Sequence, residues 1–283
     1  MNGPRVAVLG ARGFIGSAVS AIAAADDRIG QVLPVHRPGS ATSPSATLLQ
    51  VDVRDEDALA AVLAGVDVVV NAAHVIGSGP DLSVNETGPG AAARAAARVG
   101  ARCLEIGTAA VYGRGPLRGG AEGEFAPAPD SALSASRAVG EAEALAADAT
   151  VLRPMIVVGR GDRWAVPAAA AAAAADDRDP TARIGVIDVD DLARLVVSLA
   201  LIAEIPPVLH ASRRHPVELA DLLVDAAYAL PAGGTQVPEH VRSMLHTDRW
   251  VDSDLAWDLV GWEPDGPLVS AAGRRWYASA RAG

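Results

Sequence analysis

The chain has 283 residues, half of them hydrophobic and a fifth charged. Those numbers exclude a disordered protein and set the scale at one large α/β domain, or a dinucleotide domain with a smaller lobe. A net charge of −10 argues against nucleic acid as a partner, because phosphate binding needs a basic surface. The single cysteine, Cys103, cannot build a disulfide framework or a thiolate metal site, and no metal is expected.

The chain runs straight into an apolar strand at residues 5–9, without the charged and apolar regions of a secretory signal. The cytoplasm is therefore the expected compartment. Further strands are predicted over 31–36, 47–51, 66–71, 102–106 and 150–152. Each is a nearly continuous apolar run, the pattern of strands covered on both faces of a parallel sheet. Helical patterns over 15–25, 56–64, 86–99 and 132–146 fall between them. This alternation predicts an α/β fold, a Rossmann-type doubly wound parallel sheet with a smaller C-terminal substrate lobe. Cys103 lies in one of the strands and is read as a small core residue. The Gly- and Pro-rich stretch 113–130 is predicted to be a long irregular loop of functional importance. Beyond Pro154 the rhythm changes, to a helix over 164–177, a short strand over 183–186 and a helix over 189–203. The alanine tract 165–175 is too short to span a membrane, and no membrane association is expected. The predicted division is 1–160, with 183–204 returning to it, as the NADP(H)-binding domain. Residues 161–182 and 205–283 form the substrate lobe.

The strongest motif is Val6-Ala-Val-Leu-Gly10-Ala-Arg-Gly13-Phe-Ile-Gly16, because it follows a predicted strand and opens a predicted helix. Gly10 permits the tight turn, Gly13 lets the backbone approach a pyrophosphate, and Gly16 lets the helix pack close to the sheet. Arg12, Phe14 and Ile15 complete this cofactor-binding segment, whose helix N-terminus offers free N–H groups to the phosphates. An Asp or Glu at the end of the second strand would hold the ribose 2′-hydroxyl of NAD. Here that end reads Val35-His36-Arg37-Pro38. With no acid present, Arg37 and Arg12 are expected to hold a 2′-phosphate beside His36, so NADPH (NADP+) is the expected cofactor. Asp52 and Val53 are placed at the adenine edge, and Ala72 and Ala73 along the cofactor's path.

These motifs resemble those of the extended short-chain dehydrogenase/reductases, of the NAD-dependent epimerase/dehydratase type, which include sugar-nucleotide epimerases and dihydroflavonol-type reductases. The resemblance runs nearly end to end. It takes in the glycine turn, Asp52-Val-Arg-Asp55, Asn71-Ala-Ala73, Val84-Asn85 and Gly107-Thr-Ala-Ala-Val-Tyr-Gly113. Later come Leu152-Arg-Pro154 with Gly159, Val189-Asp-Asp191-Leu-Ala193 and Ala256-Trp-Asp-Leu-Val-Gly-Trp262-Glu-Pro264. It implies a Ser or Thr, a Tyr, and a Lys four residues after that Tyr as the proton-transfer machinery. Thr108 stands at the Ser/Thr position. The run Ala132-Leu-Ser-Ala-Ser-Arg-Ala-Val-Gly-Glu141 puts Leu133 at the tyrosine position and Arg137 at the lysine position. The chain contains no lysine at all, so no shifted register restores the pair. Arginine can anchor ribose hydroxyls but stays protonated and makes a poor proton shuttle. Pro154 is carried over as a cofactor contact.

Three readings follow from a cofactor turn that is intact and a proton-transfer pair that is lost. In the first, the chain is an atypical NADPH-dependent ketoreductase. Its substrate carbonyl is polarised by a neighbouring phenol, as in polycyclic aromatic ketones of the angucyclinone polyketide type, and antibiotic tailoring is the implied setting. Candidate catalytic side chains are Thr108, His74, whose neutral-range pKa suits proton transfer, and Ser136. In the second reading the chain is a non-catalytic NADP(H)-binding sensor or scaffold. In the third it is a sugar-nucleotide epimerase or dehydratase, a chemistry that needs the missing tyrosine as base. His74, Tyr112, Leu133, Met155 and Trp164 are expected to line the substrate site, with Trp164 able to stack on a flat polycycle. A small-molecule aromatic ketone is the expected partner, and the sequence leaves a homodimer open.

Overall fold

The computed structural model describes residues 3–38, 49–76, 81–174, 182–227 and 247–279, with side chains omitted for 172–174. The first strands are β1 (Arg5–Leu9), β2 (Gln31–His36), β3 (Leu49–Gln50), β4 (Val68–Asn71), β5 (Arg102–Ile106) and β7 (Thr150–Pro154). With β11 (Val208–Ala211) they form a seven-stranded sheet in the order β11-β7-β5-β4-β1-β2-β3. The pairs from β3 across to β7 are parallel. The strand order reverses at β1, between β2 and β4, which is where open α/β sheets bind ligands at their carboxyl ends.

The helices are α1 (Phe14–Ala25), α2 (Glu56–Val62), α3 (Ser83–Arg98), α4 (Ala132–Leu145), α5 (Ala165–Ala174) and α6 (Val189–Ala200). They continue with α7 (Leu219–Asp225), α8 (Asp254–Val260) and α9 (Ala271–Ser279). Parallel strands must be joined by crossovers, and α1 to α4 serve that purpose. Ala7, Leu9, Val69, Cys103 and Val151 pack into one core with Leu59 of α2, Ala92 and Ala96 of α3 and Ala144 of α4. The alternate residues Val6, Val8, Val68, Val70 and Leu104 are buried too, so the strands are covered on both faces. Nine of the sixteen α3 residues are buried, mostly alanines and glycines. That small-residue face lets α4 approach closely: a Cβ on Gly140 would lie 1.9 Å from the carbonyl oxygen of Asn85.

The chain divides into two compact units. Unit 1 comprises residues 1–111, 129–153 and 193–209; unit 2 comprises 112–128, 154–192 and 210–283. Unit 2 carries a four-stranded sheet in the order β12-β9-β13-β6, built from Val217–Glu218, Arg183–Ile184, Arg249–Val251 and Leu117–Gly120. It also carries the parallel pair β8 (Ile156–Val158) and β10 (Val186–Asp188). Its own core gathers Val166, Ile184, Val186, Leu219, Leu222 and Tyr277.

Several expectations need correction. The stretch 113–130 is not wholly irregular, since it contains β6, which pairs in parallel with β13. That pairing also moves 112–128 out of the first domain and into unit 2. The strand expected over 183–186 is split at Gly185 into β9 and β10, which join different sheets. Residues 47–48, part of the third expected strand, and 175–177, the end of the fifth expected helix, lie outside the described residues. No helix among the described residues is long and apolar enough to cross a membrane.

Cys103 is buried in the unit 1 core, and burial with Glu105 nearby raises its thiol pKa above the ordinary range. Thiolate is the reactive species, so Cys103 is expected to be inert to a water-soluble aromatic disulfide in the native protein and to titrate fully in denaturant. Rapid labelling of native protein would show that β5 opens locally.

Candidate cofactor and active site

Gly10 has φ +74°, and a Cβ there would lie 2.6 Å from the carbonyl oxygen of Ala72. The turn therefore admits only glycine and lies against the Ala72–Ala73 backbone. Gly13 donates its N–H to the Gly10 carbonyl at 2.8 Å, and a Cβ on Gly16 would meet that same oxygen at 2.3 Å. Gly13 is the N-cap of α1 and supplies no side-chain cap, and the first turn carries no acidic residue. The N–H groups that begin α1 thus remain available for an anion, and the residues present fit a dinucleotide pyrophosphate.

Arg12 and Arg37 are both exposed, and no carboxylate pairs with Arg37 among the described residues. His36 is buried, with Nδ1 2.9 Å from the carbonyl oxygen of Arg37. Asp52 is engaged by Arg54 through two side-chain hydrogen bonds and one from the backbone N–H, which hold its carboxyl below the usual range. Val53 is buried against Gly88 of α3. Phe14 and Ile15 are half-buried at the start of α1.

At the carboxyl ends of β4, β5 and β7, unit 1 holds a buried charged cluster. Glu141 of α4 accepts from Arg153 Nε at 2.8 Å and from the Thr108 amide at 2.9 Å. A Cβ on Gly107 would lie 2.4 Å from Glu141 Oε1, so glycine there makes room for the carboxylate. Burial pushes the Glu141 pKa up, and Arg153 and the Thr108 N–H pull against that. Arg137 donates to the Ile106 carbonyl at 2.6 Å, and burial depresses its pKa, with Glu105 and Glu141 opposing. Glu105, fully buried on β5, accepts from Asn71 Nδ2 at 2.6 Å, and its other oxygen lies 2.8 Å from His74 Nε2. Burial, then Arg137, lower the His74 pKa; Glu105 and the Ile106 carbonyl oppose them.

The candidate catalytic residues meet different fates. The Thr108 hydroxyl accepts the Ala110 N–H at 3.1 Å, and a hydroxyl that accepts one hydrogen bond can still donate its O–H to another group. His74 sits in the buried cluster just described. Ser136 is buried, donates to the Leu133 carbonyl at 2.8 Å and accepts from Asn85 at 3.2 Å. Both of its hydrogen-bonding roles are internal, so its expected catalytic part is withdrawn. Leu133 is half-buried in the first turn of α4, which begins with a Ser131–Ser134 capping box.

Unit 2 holds the remaining expected residues. Tyr112 is buried and its hydroxyl lies 2.7 Å from His210 Nε2, with Phe125 edge-on at 5.7 Å. Its polar end is therefore occupied, which corrects its expected place in a substrate wall. Pro154 is buried at the end of β7, Met155 is half-buried, and Trp164 is 42 % exposed ahead of α5. Among the described residues no group of three or more His, Cys, Asp or Glu could hold a metal ion. Glu105, Glu141 and His210 are among the buried polar residues that the sequence reading gave no role. The signal for Glu105 was present, as a carboxylate in a strand that otherwise reads as fully apolar.

Residues 6–204 match the model of the NAD dependent epimerase/dehydratase family, so the chain belongs to that family. Its cofactor is accordingly a nicotinamide dinucleotide of the NAD(P) type, and the protein is an NAD(P)-dependent enzyme of that family in class. Solved structures share the fold along the whole chain. A UDP-glucuronic acid 4-epimerase from Bacillus cereus, solved with UDP-glucuronic acid and NAD, superposes with TM-score 0.74 at 18 % identity, covering 98 % of this chain and 99 % of that one. A dTDP-glucose 4,6-dehydratase from Bacillus anthracis, in complex with NAD, gives TM-score 0.75 at 15 % identity, with 99 % and 98 % covered. The Bordetella bronchiseptica enzyme WbmH, in complex with NAD+, gives 0.73 at 19 %, with 97 % and 98 % covered. Comparison with curated protein sequences finds no match.

Proposed function

We propose that the protein is an NADPH-dependent ketoreductase whose substrate is a polycyclic aromatic ketone, of the angucyclinone polyketide type, with a hydroxyl beside the carbonyl. The observation that carries this reading is the combination of a fitted phosphate turn with Leu133 and Arg137 where the family's Tyr and Lys belong. When bound, the reduced dinucleotide supplies a hydride. Arg12 and Arg37 would hold the 2′-phosphate, and Arg137, fixed on the Ile106 carbonyl, would face the ribose. Thr108 would donate its O–H to the substrate carbonyl. Leucine at 133 moves no proton, so the substrate's own phenol would protonate the alkoxide and then regain a proton from water. General acid catalysis contributes roughly 10²–10⁴ in rate, a loss that positioning can partly offset. In unit 2, Trp164 and Met155 offer apolar side chains of the kind that suit a flat polycycle. Antibiotic tailoring is the setting this substrate class suggests.

A second reading, a sugar-nucleotide epimerase or dehydratase, draws its support from the family match and from the sugar nucleotides named with the structural neighbours. Against it stand the absence of a base at position 133 and the absence of an acid at the end of β2.

The test is anaerobic NADPH oxidation with 1-hydroxyanthraquinone and with unsubstituted anthraquinone, beside NAD+-dependent conversion of UDP-glucuronic acid. Oxidation that requires the hydroxyl supports the first reading, and turnover of the sugar nucleotide supports the second. Tight NADPH binding without any turnover points to a sensor. In an active reductase, Thr108→Ala is expected to lower kcat about tenfold to a hundredfold without changing NADPH affinity, and an unchanged kcat removes Thr108 from the reaction.

A further inference from the structure

Three buried polar atoms of unit 1 lack a well-directed hydrogen bond among the described residues and belong to one cluster: Nδ1 and Nε2 of His74, and Oε1 of Glu105. Nε2 and Oε1 stand 2.8 Å apart, close enough for a charge interaction but off the line of a good hydrogen bond. The His74 side chain is 7 % exposed and that of Glu105 is fully buried. A buried carboxylate in an apolar strand is hard to explain by stability, since replacing buried charges with apolar groups is often neutral or stabilising. The reduction argued above makes no use of Glu105.

The cluster lies next in the chain to the backbone that the cofactor turn packs against. His74 directly follows Ala72–Ala73, the segment against which Gly10 turns. Arg137, at the family's lysine position, is close enough to oppose charging of the imidazole. A neutral imidazole carries one N–H. Two acceptors act on the ring, the Ile106 carbonyl, which already accepts from Arg137, and the Glu105 carboxylate 2.8 Å from Nε2; the negative charge of the carboxylate favours the proton on Nε2, and in that tautomer Nδ1 presents a lone pair. A buried lone pair left without a donor costs on the order of 1–3 kcal/mol, so a ligand O–H placed there is selected for.

We propose that Glu105 is a positioning residue that fixes His74 so that its Nδ1 accepts a hydrogen bond from a ligand hydroxyl. The inference rests on the reading of this site as an NADP(H)-dependent reductase. It makes His74 an orienting group in place of a proton donor. Two hydroxyl sources share this chemistry, the nicotinamide ribose of the dinucleotide and the phenol beside the substrate carbonyl.

Glu105→Gln separates these roles. The amide introduced by that substitution would accept from Asn71 with its oxygen and point its NH2 at Nε2, which moves the ring proton to Nδ1 and turns an acceptor into a donor. His74→Asn is the second variant, should the first not fold. Both are titrated with NADPH, with 2′,5′-ADP, which lacks the nicotinamide ribose, and with 1-hydroxyanthraquinone and anthraquinone in the presence of NADP+. If the ribose is the source, NADPH affinity falls about tenfold or more while 2′,5′-ADP binding is unchanged. If the phenol is the source, the affinity advantage of 1-hydroxyanthraquinone over anthraquinone falls about tenfold while NADPH binding is unchanged. Unchanged binding throughout, or equal losses for the members of each ligand pair, overturns the proposal. A wild-type protein that binds these ligands but oxidises no NADPH would refute the reductase reading, while the binding comparisons would still decide this one.

Discussion

Replacing Glu141 with leucine is expected to destabilise the protein by about 3–5 kcal/mol, because it leaves Arg153 as a buried charge without its carboxylate. The Thr108 amide loses its acceptor in the same step. For a chain of this size the loss corresponds to a fall in Tm of roughly 10 °C. Glu141→Leu combined with Arg153→Leu is expected to recover a good part of it, since two apolar side chains then replace a pair that had to be desolvated. Urea denaturation of the two single variants and the double variant gives the coupling directly. A loss below about 1 kcal/mol in Glu141→Leu would mean that Arg153 and the Thr108 amide find other acceptors, and that Glu141 does not hold Thr108 in place.

Arg37→Ala is expected to weaken NADPH binding between about tenfold and a hundredfold while changing NADH binding less than twofold. A hydrogen bond from a guanidinium to a phosphate contributes about 1.5–3 kcal/mol, and only NADPH carries the 2′-phosphate that would receive it. Arg37 is exposed at the end of β2, so its removal should leave the melting temperature nearly unchanged. Fluorescence titration with each dinucleotide measures both affinities. Equal weakening of the two, or of neither, would remove Arg37 from 2′-phosphate recognition and reopen NAD as the preferred cofactor.

Much of unit 1 was legible because its strands are short apolar runs punctuated by glycine turns. Residues 5–9, 31–36 and 102–106 were predicted with the bounds that β1, β2 and β5 have. Helices predicted to start at 56, 132 and 189 do so, whereas α3 begins at Ser83, three residues ahead of expectation. What the sequence hid was non-local. β6 reads Leu-Arg-Gly-Gly, which has no strand character of its own, and it becomes a strand by pairing with residues 249–251, more than a hundred positions away. Tyr112 looked like a pocket residue because its partner His210 lies 98 positions further on. Ser136 looked available because the Asn85 that engages it lies on a different helix. Apolar periodicity finds buried surfaces, but it says little about which buried polar groups meet.

The two units alternate along the sequence, with the chain passing from one to the other after residues 111, 128, 153, 192 and 209. Neither unit can be released as a fragment by one proteolytic cut, and neither could be gained or lost by fusing or deleting a terminal stretch of gene. Change in such an architecture comes by substitution, or by insertion within loops, inside an inherited frame. That Leu133 and Arg137 stand within an otherwise recognisable frame is the pattern such a history leaves.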